Sequence, residues 1–156
     1  MATQLASAAL ATGQVEDYRR QGYLILREVF GPQEVAALTG ESQTLHARRD
    51  LVDSANLRCR WADHGPGGQC LFDCFDPVID IGPVCRYVSN DERILNPLRA
   101  ILDDEPCLLK DKLIFKQPGA TGYALHQDYI GWQDFPESFT TVIVAIDESD
   151  ATNGAT

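Results

Sequence analysis

The stretch Leu125-His126-Gln127-Asp128 decides how this chain is read. In a β-strand, side chains two residues apart point to the same face, so a strand here would set the His126 imidazole beside the Asp128 carboxylate. One offers a nitrogen and the other an oxygen, and both suit a single first-row metal. Two histidines and one carboxylate on one face of Fe(II) leave positions open for oxygen and a co-substrate. That arrangement needs a second histidine. The chain's others are His46 and His64; His46 falls on an early helix and His64 in a Gly-rich loop, and none follows His126. His-x-Asp alone is a common string, so its surroundings must carry the reading.

Those surroundings alternate between loops and strand-like runs. Gln117-Pro118-Gly119-Ala120-Thr121-Gly122 reads as a loop, and residues 107–116 and 123–128 on either side read as extended. Beyond the aromatics Tyr129, Trp132 and Phe135, the β-branched run Thr140-Thr141-Val142-Ile143-Val144 predicts a buried strand over residues 139–146. Asn153-Gly154 is a strong turn signal that calls for a strand after it.

The first half is more helical. Residues 14–21 suit a short helix stopped by Gly22, followed by a strand-type run over 23–26. Gly31-Pro32 opens a second helix, with proline at the first helical position and Glu34 near the positive end of the dipole. Val35, Leu38 and Leu45 share its apolar side, and Arg48 and Arg49 close it. Residues 51–82 show no period and read as loop, with short extended pieces around Leu71-Phe72. Ser89-Asn90-Asp91-Glu92 has capping-box spacing, and Ile94, Leu95, Leu98, Ile101 and Leu102 follow on one helical face. Pro97 inside that pattern means either a kink or a fresh start capped by Asn96.

Composition sets outer bounds. The 156 residues suit one domain, and 44% hydrophobic residues suffice for a packed core. A net charge of −10 argues against nucleic acid and against an anionic membrane surface as partners. No apolar run approaches the roughly 18 residues of a membrane span. Residues 1–13 are an Ala-rich tail without the positive charge that opens a secretory signal. An odd cysteine count with no signal points to reduced thiols and a cytoplasmic location. Cys59, Cys70, Cys74 and Cys85 lack the two close pairs of a zinc site, so buried or half-buried thiols are expected.

A family resemblance then becomes specific. Lys112-Leu113-Ile114-Phe115-Lys116-Gln117-Pro118-Gly119, then Leu125-His126-Gln127-Asp128, Trp132, residues 142–147 and Asn153-Gly154 together resemble the phytanoyl-CoA dioxygenase family of Fe(II)- and 2-oxoglutarate-dependent oxygenases. Gly22-Tyr23-Leu24-Ile25-Leu26 and the helix at Pro32 are similar to that family's opening. The likeness is strongest from Lys112 onward and thin between Leu51 and Ser89.

The resemblance implies an α+β, mainly β fold: a double-stranded β-helix, or jelly roll, with flanking N-terminal helices, incomplete at its C-terminal side. Residues 14–156 would be a single oxygenase domain. His126 and Asp128 would be iron ligands, Lys112 and Ile143 would line the 2-oxoglutarate pocket, and Trp132 would stand beside the iron. Solvated strand lysines and plain core packing are the alternatives for Lys112 and Trp132. Family members continue into a Pro-Gly-Ser-His-like segment with the second histidine, and then an arginine whose planar fork suits the far carboxylate of 2-oxoglutarate. Neither occurs in these residues.

The expected function is that of an oxidoreductase, a dioxygenase using Fe(II) and 2-oxoglutarate to hydroxylate a small-molecule or acyl substrate. The Asp128 carboxylate fills a position that related halogenases leave to chloride, which favours hydroxylation. The alternative is a catalytically inactive truncated product, or a metal- or ligand-binding remnant of the same fold. Residues 1–156 alone are expected to be inactive toward 2-oxoglutarate and prone to aggregate. Substrate identity and oligomeric state are left open by the sequence.

Overall fold

Proline has no N–H to leave unpaired at a helix start, and two helices begin on one: α2 (Pro32–Ala47) and α3 (Pro83–Ser89). α1 (Gln14–Gln21) ends where Gly22 turns left-handed, at φ 81°, and its N–H returns to the Tyr18 carbonyl. Glu34 caps α2 by accepting the Gly31 N–H at 2.8 Å. The computed structural model describes residues 10–11, 13–63, 67–120, 124, 126–131, 134–136 and 138–153.

Residues 1–41 and 77–111 form one compact unit, and residues 42–76 and 112–156 a second. The first holds α1, Pro32–Glu41 of α2, α3 and α4 (Glu92–Leu102). Leu38, Val78, Val88 and Pro97 are buried within it. Carboxylates tie its chain turns together. Glu41 accepts the Val84 and Cys85 N–H groups at 2.9 and 2.8 Å, at the start of α3. Asp111 does the same for Val78 and Ile79, at 2.6 and 2.9 Å. Arg93 on α4 grips both Glu34 and Asp91.

The second unit is built on a three-stranded antiparallel sheet. β2 (Cys70–Phe75) lies between β1 (Cys59–Asp63) and β3 (Leu113–Ile114). Phe72, Cys74 and Phe75 of β2 are buried, with Cys59 and Leu113 from the flanking strands. Rings gather around Phe72: centroids of Phe75, Trp61, Phe115 and His46 lie 5.0, 5.4, 5.5 and 5.7 Å away. His46 is thus a packing histidine, stacked 4.7 Å from Phe115.

Several expectations need correction. Residues 51–82, expected to be mostly loop, contain the β1–β2 hairpin. Its period was hidden by a register shift between Arg60 and Trp61, which breaks the two-residue alternation. Pro83–Ser89 is a helix that the sequence pattern did not reveal. The cap of α4 is Asp91, whose side chain accepts the Arg93 N–H, and not Ser89. The helix runs on through Pro97. The strand expected over 107–116 shrinks to Leu113–Ile114. Residues 23–26 and 139–146 form no strand, although both are rich in strand-type residues. Tyr23 and Ile25 are largely exposed, and Ile143 is 85% exposed, so the burial expected over 139–146 does not hold at Ile143. A β-branched run becomes a strand only when a neighbouring chain completes its ladder.

Candidate metal centre

The expected strand over 123–128 does not form in its described residues. His126 and Gln127 are irregular, and Asp128 opens a single 3-10 turn, Asp128–Gly131. The two side chains converge nonetheless, with His126 Nε2 3.4 Å from Asp128 Oδ1.

Each is also held from behind. His126 Nδ1 lies 2.8 Å from the Ala124 carbonyl oxygen. A carbonyl can only accept, so Nδ1 carries the hydrogen. In the neutral ring Nε2 then presents its lone pair toward Asp128. On the other side, Thr141 Oγ1 donates to Asp128 Oδ2 at 2.8 Å, leaving Oδ1 toward the histidine. Metal-binding histidines commonly donate their second N–H to a carbonyl, and metal-binding carboxylates are commonly hydrogen-bonded in turn.

This donor set fits a first-row metal. Two ligand atoms about 2.1 Å from one ion and at right angles to each other stand about 3.0 Å apart. The observed 3.4 Å is within a few tenths of an ångström of that spacing. Both side chains are open to solvent, at 59% and 47% exposed, so an ion has access. Among the described residues, no group of three His, Cys, Asp or Glu side chains converges.

Lys112 is exposed just before β3, and Ile143 is exposed in the irregular run after Phe139. Trp132 and His64 lie outside the described residues. Two partners escaped the sequence reading: the Ala124 carbonyl and the Thr141 hydroxyl. A main-chain oxygen has no sequence signal. Thr141 was hidden within a β-branched run, where its shape matters as much as its hydroxyl.

The five cysteines are thiols, outside any disulfide. Cys74 and Cys59 are buried and Cys85 half-buried, as expected of packing thiols, while Cys70 and Cys107 are exposed. Burial pushes the Cys74 and Cys85 thiols up to about 12, with Asp73 and Glu41 respectively adding to the effect.

Residues 18–156 match the family model of phytanoyl-CoA dioxygenase, which thus spans the sheet, the helices from Tyr18 onward and the His126–Asp128 pair. The chain belongs to the phytanoyl-CoA dioxygenase family. It is 32% identical over 126 residues to an ectoine dioxygenase of Bordetella bronchiseptica, covering 80% of this chain and 39% of that protein. A 2-aminoethylphosphonate dioxygenase from an uncultured bacterium is 33% identical over 88 residues, covering 56% of this chain and 34% of that protein. A probable α-ketoglutarate-dependent hypophosphite dioxygenase of Stutzerimonas stutzeri is 24% identical over 143 residues, covering 91% and 50%. The chain therefore spans half or less of the length of these relatives. No solved structure gave a significant match. Family membership implies a jelly-roll fold, with which the helices and small sheet are compatible.

Proposed function

We propose that this chain carries part of the active site of a non-haem Fe(II)- and 2-oxoglutarate-dependent dioxygenase that hydroxylates a small molecule. The observation that carries the proposal is the pairing of His126 Nε2 with Asp128 Oδ1 at 3.4 Å, each fixed by a hydrogen bond on its far side. A neutral imidazole nitrogen and a carboxylate oxygen are two of the three protein ligands of the Fe(II) facial triad.

When bound, iron and 2-oxoglutarate would supply the oxidising chemistry: O2 and 2-oxoglutarate become succinate and carbon dioxide, and one oxygen atom enters a substrate C–H bond, or a P–H bond where the substrate is hypophosphite. The chain's own residues bind and orient. His126 holds its tautomer through Ala124, and Asp128 offers a fixed negative charge. Lys112 and Ile143 are assigned to the 2-oxoglutarate pocket and Trp132 to the iron's surroundings on the family resemblance alone. The same resemblance supports residues 14–156 as one oxygenase domain with a jelly-roll core, its remaining ligand and the 2-oxoglutarate-binding cation supplied by residues beyond these. Free thiols support a reducing, cytoplasmic setting.

The relatives' names include ectoine, 2-aminoethylphosphonate and hypophosphite, all small polar compounds, which supports a substrate of that class. The test is succinate formation by the full protein supplied with Fe(II), 2-oxoglutarate and each of these compounds in turn. Iron-dependent succinate formation stimulated by one of them is expected. Metal binding with no succinate under any condition would favour the inactive-remnant alternative.

A further inference from the structure

We propose that Thr141 is a positioning residue for the metal centre, holding Asp128 so that only Oδ1 is offered to the ion. The proposal rests on the reading of His126 and Asp128 as metal ligands.

A carboxylate has two equivalent oxygens and turns easily about its last carbon–carbon bond. Packing does not fix this rotation at Asp128, whose side chain is 47% exposed. The 3-10 turn that begins at Asp128 fixes only its backbone. The restraint comes from Thr141 Oγ1, thirteen residues along the chain, which donates to Oδ2 at 2.8 Å. With Oδ2 occupied by that hydroxyl, Oδ1 is the oxygen that faces His126 Nε2. A carboxylate gripping the metal through both oxygens would consume a position that a co-substrate needs. A hydrogen bond between neutral donor and charged acceptor is among the stronger ones, so it can hold this choice in a solvent-open site.

The position shows why the residue is threonine. Its neighbours Val142, Ile143 and Val144 are β-branched and apolar. Threonine keeps that shape and adds one hydroxyl. The substitution Thr141→Val therefore removes the donor with little change of form, and Thr141→Ser keeps the donor while losing a methyl group.

The experiment is Co(II) titration of the full protein, followed by absorbance, for wild type, Thr141→Val, Thr141→Ser, His126→Ala and Asp128→Ala. Thr141→Val is expected to bind Co(II) about 10- to 100-fold more weakly, the usual effect of removing a group that orients a metal ligand. Thr141→Ser should restore most of the affinity. Thermal unfolding without metal separates a merely structural tie, because such a tie would lower the transition while leaving Co(II) affinity in the folded protein unchanged. If His126→Ala and Asp128→Ala lose Co(II) while Thr141→Val binds it as wild type does, the role of Thr141 is overturned and the ligand assignment stands. The role also fails if Thr141→Ser binds as weakly as Thr141→Val. If His126→Ala and Asp128→Ala bind as wild type does, the ligand assignment itself falls, and the role of Thr141 with it.

Discussion

Replacing Arg93 by methionine would keep much of its volume and remove its charge. The Arg93 side chain is 13% exposed, and its guanidinium sits between two carboxylates. It donates to Glu34 Oε1 and Oε2 at 2.6 and 2.9 Å, to Asp91 Oδ1 and Oδ2 at 2.8 and 2.7 Å, and to the Val29 carbonyl at 3.2 Å. It also lies 4.5 Å from the centroid of the Phe30 ring. Hydrogen bonds from the Arg93 side chain, aided by the Arg93 N–H, hold the Asp91 carboxyl at about 2, below its usual 3.8. At about 1.4 kcal/mol per pKa unit, that displacement is worth about 2 kcal/mol. Glu34 is also lowered, first by Arg93, but it is 28% exposed and adds less. Removing one partner further leaves two carboxylates facing each other, so Arg93→Met should cost about 2–4 kcal/mol at pH 7. The assay is urea unfolding of the full protein at several pH values. A carboxylate with a depressed folded pKa contributes its stability above the unfolded value, 3.8, and loses it as pH falls toward about 2. The gap between wild type and variant should therefore be full at pH 7 and narrow between pH 4 and pH 2. A loss under about 0.5 kcal/mol at pH 7, the level of an ordinary surface substitution, would refute the reasoning.

Other substitutions probe the two units separately. Phe75→Ala, at a fully buried ring of β2, should lose about 3–5 kcal/mol in the same unfolding assay. Asp111→Ala leaves the Val78 and Ile79 N–H groups without their acceptor and should cost about 1–3 kcal/mol. A Cβ at Gly82 would stand 2.9 Å from Glu41 Oε2, so Gly82→Ala should disturb the cap on α3 and lower the melting temperature. Alkylation at pH 8 followed by mass spectrometry should modify Cys70 and Cys107 first. Cys74 and Cys85, with thiols pushed up to about 12, should react only after unfolding.

The glycine stop of α1 and the proline start of α2 were legible in the sequence, because such signals are local, whereas α3, which also starts on a proline, was not. α1 ends at Gly22 and α2 starts at Pro32, as the residues predict. Strands were less legible, because a strand depends on a partner distant in sequence. The run Val142-Ile143-Val144 has the right residues and no described ladder, while Cys59–Asp63 carries two charges and pairs fully with β2. At the candidate site, His126 and Asp128 were found for a reason that only half applies. They meet as the spacing suggested, yet in irregular chain that leads into a 3-10 turn rather than along a strand. Thr141 escaped notice because a hydroxyl in a β-branched run looks like packing.

The central claim is that His126 Nε2 and Asp128 Oδ1 bind one metal ion. A crystal structure of the full protein grown with Mn(II) and 2-oxoglutarate, with anomalous data at the manganese edge, tests it most directly. A single strong anomalous peak is expected about 2.0–2.2 Å from both atoms, the distance of first-row metal bonds to nitrogen and oxygen ligands. A peak on other side chains, with His126 and Asp128 still paired to each other, would contradict it.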